Sequence, residues 1–362
     1  MSDVINVSSP NWNTVDSYGQ LAVRLVWHLS QIGWHVNGFG SGNVIHDSQS
    51  KAVQALLEKP IRPTMGGLLL GYPTDFDKYG TLSNTGPRIA VTMFESTRLP
   101  DGWADILNTM QAVIVPSVWL VQVFQDNGVQ VPIHVVPLGI SETYQYVQRP
   151  QGRKPFTFLT LGDRGDRRKG WDLATLAFHK AFGENPDYKL IIKSRTKGLP
   201  IHIVHPCIEI LRQDMTETQM QQLYACADAY VFATRGEGFG LPPREAAATG
   251  LPVIATRWGG TADDITAWGY PLRATLAPAW QDDEKLRGLG EWAAPDLDHL
   301  IEQMRYVSSG NPMIAHMGQE SARRIRRLYD WQRFAEGVLN VWLDVTEQPN
   351  AIKVAKEVIH GN

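Results

Sequence analysis

Leu21, Leu25 and Leu29 recur at every fourth position between about Tyr18 and Gln31, and that spacing predicts an amphipathic helix with one buried face. A short apolar run, Val4 to Val7, precedes it and reads as a strand, with a polar loop from Ser8 to Asp16 between the two. The same rhythm continues with apolar runs at Ile89–Phe94, Ala112–Val115, Ile133–Pro137, Phe156–Leu161, Leu190–Ile192, Ala229–Ala233 and Pro252–Ala255. Strands alternating with helices predict an α/β protein with parallel sheets. The stretch Ser141–Lys154 is polar, holds proline and glycine, and lacks an apolar period, so it reads as a linker between domains. There is no internal repeat and no low-complexity tract.

The 362 residues are more than one core usually holds, so two domains are expected. With 43% hydrophobic and 20% charged residues, the composition is that of a soluble globular protein. A net charge of −3 supplies no global attraction to nucleic acid or membrane. The two cysteines, Cys207 and Cys226, have no metal-ligand spacing, and such sparse usage suits a reducing cytoplasm. The N-terminus has no basic region followed by an apolar segment, and no apolar run approaches a membrane span. A cytoplasmic location is therefore expected. The 12 tryptophans read mostly as packing, although sugar-binding surfaces also use aromatic faces.

The most informative stretch is Ala229 to Gly260. An apolar strand runs into the glycine-rich turn Gly236-Glu237-Gly238-Phe239-Gly240. Pro242 and Pro243 then open a short helix that Gly250 ends, and a second apolar strand follows. Glycines let backbone approach a ligand closely, and N–H groups at a helix start favour an anion such as phosphate. Glu237 and Glu245, with seven residues between them, flank that anion position and can converge on one ligand. A plainer reading also exists: an ordinary strand-to-helix turn, with Glu245 opposing the helix dipole.

This E-x7-E pattern, with its loop glycines, paired prolines and flanking strands, resembles the retaining nucleotide-sugar glycosyltransferases of family four, the glycosyl transferases group 1. The resemblance implies the GT-B fold, two Rossmann-like domains with parallel sheets facing a central cleft. It implies an acceptor domain at 1–145, a donor domain at 155–330, and a helical segment at 331–362 packing back toward the first domain. Glu237 would face the donor sugar and Glu245 would take the ribose hydroxyls. Gly238, Phe239, Gly240 and Leu241 would bind the donor through their backbone. The resemblance also covers TMFESTRLP, AVIVPSVWL and HVVPLGI in the first half and the closing YDWQRFAEGVLNVWLDV. Gly19 stands where the family sets a glycine against donor phosphates, although a tight turn explains it equally well.

After Phe156–Leu161 comes GDRGDRRKGWDL, with glycines and basic residues between a strand and a helix. Ligands of open parallel sheets bind at such strand ends. The family places an Arg and a Lys here to hold the donor diphosphate. Lys169 matches the lysine. Arg164, Arg167 and Arg168 compete for the arginine, and spacing favours Arg164. The plainer reading is a solvated basic loop. Lys193, after Leu190–Ile192, is a further donor-side candidate. Where many family members carry a histidine after the strand Ile89–Phe94, this chain has Glu95. Glu95 is thus an acceptor-side candidate, or else a salt-bridged scaffold residue.

A departing nucleoside diphosphate needs its charge stabilised by a metal ion or by fixed cations and dipoles. Arg164, Lys169, the 239–241 amides and a helix start offer the second solution, so no metal and no cofactor are expected beyond the donor itself. The Asp-x-Asp pairs Asp75/Asp77 and Asp296/Asp298 raise the metal alternative, but read better as a turn and a helix start. No hydrolase nucleophile elbow appears. The expected activity is metal-independent, retaining transfer of a hexose-type sugar from a nucleoside-diphosphate sugar to an acceptor hydroxyl. The acceptor is open: a glycan, a lipid-linked or small molecule, or nucleic acid. One rival is an NAD(P)-type oxidoreductase, although Gly236, Gly238 and Gly240 lack the G-x-G-x-x-G spacing. Another is a non-catalytic two-domain sugar-binding protein. The run Arg323, Arg324, Arg326, Arg327 reads as a solvated helix face or as a contact for an anionic acceptor.

Overall fold

The computed structural model describes residues 4–10, 12, 17–39, 53–54, 66–79, 86–150, 152–162, 165–196, 201–280 and 289–346. The chain divides into two compact units. The first comprises Met1–Phe94, Asp101–Gly139 and Tyr329–Asn362, and the second Glu95–Pro100 and Ile140–Leu328.

The first unit holds strands β1 (Val4–Ser8), β2 (His35–Phe39), β3 (Gly67–Leu70), β4 (Arg88–Val91), β5 (Ala112–Val115) and β6 (Ile133–Val135), with helices α1 (Ser17–Gln31), α2 (Trp103–Leu107) and α3 (Val118–Asp126). The strands form one parallel sheet in the order β2-β1-β3-β4-β5-β6. β1, β3 and β5 are buried along their whole length. That follows from their composition, since continuous apolar runs suit a sheet covered on both faces. The polar residue Asn6 within β1 is accommodated by donating to Gly66 O at 2.7 Å and accepting from Asn37 at 3.2 Å.

The second unit holds β7 (Phe156–Leu161), α4 (Trp171–Phe182), β8 (Tyr188–Ser194), β9 (Ile208–Arg212), α5 (Glu217–Cys226), β10 (Ala229–Phe232), α6 (Leu241–Ala248), β11 (Val253–Thr256), β12 (Tyr270–Leu272), β13 (Ala274–Pro278), β14 (Glu291–Pro295), α7 (Leu297–Val307) and α8 (Pro312–Leu328). Its six-stranded sheet is parallel in the order β9-β8-β7-β10-β11-β12. The chain starts in the middle, builds outward one way, then restarts beside β7 and builds the other way. The order therefore reverses between β7 and β10, and the loops leaving those two strands part there to leave room for a ligand. Phe158, Phe178, Leu190, Ile192, Val231, Ile254, Leu300 and Met304 form the core beneath α4 and α7. β13 and β14 add an antiparallel hairpin that the sequence pattern does not reveal.

The last described helix, α9 (Trp331–Val345), belongs to the first unit and packs on α1. Leu21, Leu25 and Leu29 of α1 are fully buried, as are Val338 and Leu343 of α9. Both ends of this contact are apolar stripes of helical period.

The segment read as a linker, Ser141–Lys154, is instead largely fastened to the second unit. The Arg149 guanidinium donates to the carbonyls of Ala227, Val147, Thr249 and Tyr224 and to the Thr249 hydroxyl, all within 2.9–3.1 Å. Val147 N–H bonds Thr249 O at 3.0 Å, and Ser141 Oγ bonds Glu217 at 2.8 Å. Tyr144 is buried edge-on against Tyr224. The polarity that suggested solvent is satisfied by protein groups. Burial lowers the Arg149 pKa to about 10, with Asp228 opposing that shift.

Candidate functional site

The site grows from the two loops at the strand-order reversal of the second unit. β7 leads into a 3-10 turn, Arg167–Lys169, and Gly170 begins α4 at φ +74°. A side chain at Gly170 would place Cβ 1.8 Å from Ala233 O, so only glycine lets the basic loop lie against the end of β10. The two loops are then stitched together. Arg235 N–H bonds Arg168 O at 2.7 Å, Thr234 Oγ1 bonds the same oxygen at 3.2 Å, and Arg235 pairs with both oxygens of Asp172 at 2.9 Å. Within this frame Lys169 Nζ lies 2.6 Å from Glu237 Oε2, and Arg168 lies 3.8 Å from the same oxygen.

The carbonyls of the glycine-rich loop are held by hydrogen bonds from its surroundings. Gly236 O accepts from Arg168 at 2.6 Å and from Thr234 at 3.0 Å. Glu237 O accepts from Gly260 N–H at 2.7 Å. Phe239 O and Gly240 O accept from Arg244. In a trans peptide the C=O and the following N–H point opposite ways. Each held carbonyl therefore turns the amide that follows it, that of Glu237, Gly238, Gly240 or Leu241, away from that carbonyl's own donor, and the Gly240 and Leu241 amides share one donor, Arg244, behind them. Gly240 caps α6 at φ +89°, with prolines at the first helical positions. Aligned amides at a helix start suit an anionic oxygen.

Glu245 lies in the first turns of α6 and is buried. Its Oε2 accepts from Tyr224 OH at 3.1 Å. Burial pushes the Glu245 carboxyl up to about 7 and Glu217 adds to the push; Tyr224, Lys193 and Tyr144 work the other way. Lys193 is the penultimate residue of β8, half-buried, and burial followed by Arg195 lowers its pKa. Both motif glutamates and both basic residues, Lys169 and Lys193, thus belong to one unit. Tyr230, fully buried on β10, has its hydroxyl pKa raised by burial and then by Glu245 and Glu237.

Glu95, expected on the acceptor side of the first domain, groups with the second unit. Its carbonyl oxygen occupies the space where a Cβ on Gly236 would sit, at 2.2 Å. Thr97, two residues on, exchanges hydrogen bonds with Glu291 of β14. Burial raises the Glu95 pKa; Arg168 opposes, Glu237 adds, Lys169 opposes and Asp166 adds. Arg164, the favoured arginine, lies outside the described residues. Of its competitors, Arg167 is exposed and Arg168 is the one turned onto the glycine loop. Gly19 is buried in the first turn of α1, in the other unit.

Asp296 caps α7 by accepting from His299 N–H at 3.0 Å, and Asp298 sits in that helix's first turn. Asp75 and Asp77 fall in the 3-10 turn Pro73–Tyr79. Among the described residues, no group of three or more His, Cys, Asp or Glu is arranged to hold a metal ion. In the basic run of α8, Arg323 pairs with Glu320 and Arg326 bonds Gln145. No helix among the described residues is long and apolar enough to cross a membrane.

Residues 155–279 match the family model described as Glycosyl transferases group 1. The serotype-specific mannosyltransferase WbdA of Escherichia coli is 30% identical over 136 residues, 35% of this chain and 16% of that protein. The lipopolysaccharide core biosynthesis mannosyltransferase LpsB of Rhizobium meliloti (strain 1021) is 45% identical over 118 residues, 30% of this chain and 34% of that protein. The matches therefore span only a minor part of these relatives' length. Among solved structures, the sucrose-phosphate synthase from Thermosynechococcus elongatus covers 95% of this chain and 99% of its own, with a TM-score of 0.68 and 15% identity. WaaG, a glycosyltransferase involved in lipopolysaccharide biosynthesis, covers 93% of this chain and 99% of its own, with a TM-score of 0.60 and 14% identity. The chain thus has the α/β GT-B fold, and its segment 155–279 is similar to the glycosyl transferases group 1.

Proposed function

We propose that this protein is a retaining, metal-independent glycosyltransferase that moves a hexose from a nucleoside-diphosphate sugar to an acceptor hydroxyl. The single observation that carries this reading is the Lys169–Glu237 pair, set beside the Gly240 and Leu241 amides, each directed by the bond Arg244 makes to the carbonyl before it. The diphosphate takes the Gly240 and Leu241 amides, Pro242 and Pro243 having none to offer, and the Lys169 ammonium. Glu245 takes the ribose hydroxyls, and Glu237 takes a hydroxyl of the sugar. As the bond to the anomeric carbon lengthens, charge grows on the leaving phosphate, and a fixed cation and dipoles stabilise that state more than the ground state. In retention without an enzymic nucleophile, the acceptor attacks from the face the phosphate leaves, and the departing phosphate oxygen accepts its proton. Glu237 then orients and stabilises the sugar and forms no adduct.

The names of the relatives support mannose as the first sugar to test, with a glycan as the acceptor. A cytoplasmic site of action goes with a nucleotide-sugar donor. The test is a screen of UDP-, GDP- and ADP-hexoses for released nucleoside diphosphate, with NAD and free sugars as thermal-shift controls. Stabilisation by NAD alone would favour an oxidoreductase. Stabilisation by free sugar, with no turnover of any donor, would favour a sugar-binding protein.

A further inference from the structure

We propose that Arg244, which lies inside the E-x7-E stretch but is given no role by it, is a positioning residue that sets the direction of the phosphate-binding amides. The proposal rests on the donor-binding reading above and deepens it. Arg244 is 1% exposed, which is unusual for a guanidinium. It lies between two aromatic rings, 4.1 Å from the centre of Phe239 and 5.2 Å from that of Trp268. One end of its fork donates to Phe239 O and Gly240 O. The other end donates to Gly260 O at 3.1 Å and to Asp264 Oδ1 at 2.6 Å.

Three carbonyl oxygens converge on this one group. Without a cation among them they would repel, and the peptide planes at 239–240 and 240–241 would be free to rotate. Those two planes carry the Gly240 and Leu241 amides. Arg244 therefore holds the amides in place from behind and touches no substrate. A lysine keeps the charge but lacks the planar fork, so it cannot serve both sides at once. Asp264 orients the fork and balances its charge.

The distinction from a purely electrostatic role is experimental. Arg244→Lys keeps the net charge, and Asp264→Asn makes the site more positive. If Arg244 acts only as a distant charge, Arg244→Lys changes nothing and Asp264→Asn tightens diphosphate binding. If it positions the amides, both substitutions weaken that binding. We would measure UDP, GDP and ADP binding by calorimetry, and binding of the matching nucleoside by ligand-observed NMR, for folded variants checked by circular dichroism. The expected result is a loss of about tenfold or more in diphosphate affinity for Arg244→Lys and about threefold for Asp264→Asn, with nucleoside affinity within about twofold. Equal losses for nucleoside and diphosphate, or no loss, overturn the positioning role. If Arg244→Lys does not fold, Asp264→Asn alone decides by the direction of its change. Failure of the wild-type protein to bind any of the three diphosphates removes the donor reading and the inference together, whereas wild-type binding with unaltered variants removes only the inference.

Discussion

Lys169 Nζ lies 2.6 Å from Glu237 Oε2, so the cation proposed for the donor's phosphate and the carboxylate proposed for its sugar are direct partners. A bound diphosphate competes with Glu237 for that ammonium. Lys169→Met should lower turnover by about 10²–10³, because its charge counts most as phosphate leaves. Glu237→Gln should leave free nucleoside-diphosphate affinity equal or improved while sugar transfer collapses. Steady-state rates and calorimetry on both variants check this. If Glu237→Gln weakened the free diphosphate as much as Glu245→Gln does, the division of roles between the two glutamates would be wrong.

If fixed cations and amides stabilise the leaving group, turnover should persist in excess EDTA. The measurement is initial rate before and after chelation, then after adding back Mn²⁺ or Mg²⁺. Complete loss restored by either ion would return attention to Asp75 and Asp77.

Glu245 gives a pH dependence of defined sign. Its carboxyl titrates near 7 in the folded protein, against an ordinary value of 4.5. Between these values the folded state keeps a proton that the unfolded chain has lost. Stability therefore falls as pH rises through that window and levels off above it. Glu245→Gln abolishes this slope. Its stability relative to wild type should improve by up to about 3 kcal/mol between about pH 4 and about pH 8. Denaturant unfolding across that range tests it, and parallel curves for the two proteins would contradict the burial of an ionisable group here.

The glycine loop and α6 were legible in the sequence because their chemistry is local. The φ of Gly240, the two prolines and Glu245 all act within a few residues of one another. Arg244 was not legible, because its partners Gly260 and Asp264 lie beyond the next strand. Glu95 was placed by its strand, but Thr97 carries that segment onto β14, at a sequence separation of 194. The hairpin of β13 and β14 is built from ATLAP and EWAAP, whose alternation is too weak to mark a strand. The supposed linker misled for a related reason: polar residues signal solvent only when no distant carbonyl awaits them.

Arg149 makes that point testable. Its five bonds reach Val147 nearby and otherwise residues 75 to 100 positions away. Arg149→Met fills similar space but leaves buried carbonyls at 224, 227 and 249 without this donor. A loss of about 2–4 kcal/mol is expected. Arg149→Lys should recover only part, since one ammonium has three donors. Chemical denaturation measures both, and a near-neutral Arg149→Met would mean that solvent replaces the guanidinium and that the segment is a loose linker after all.

The last prediction concerns stereochemistry. Inversion needs a base on the face opposite the leaving group, usually Asp, Glu or His. The candidate is Glu95, half-buried, with Arg168, Lys169, Glu237 and Asp166 all bearing on its charge. Burial raises its pKa; Arg168 opposes, Glu237 adds, Lys169 opposes and Asp166 adds. A carboxyl that only holds a hydroxyl can be replaced by an amide at modest cost, whereas a general base cannot. Glu95→Gln should therefore retain measurable transfer, reduced by about tenfold or less. An α-linked nucleotide sugar should give an α-linked product with both proteins, read from the anomeric proton signal by NMR. A β-linked product whose formation is abolished in Glu95→Gln would falsify retention and make Glu95 the base.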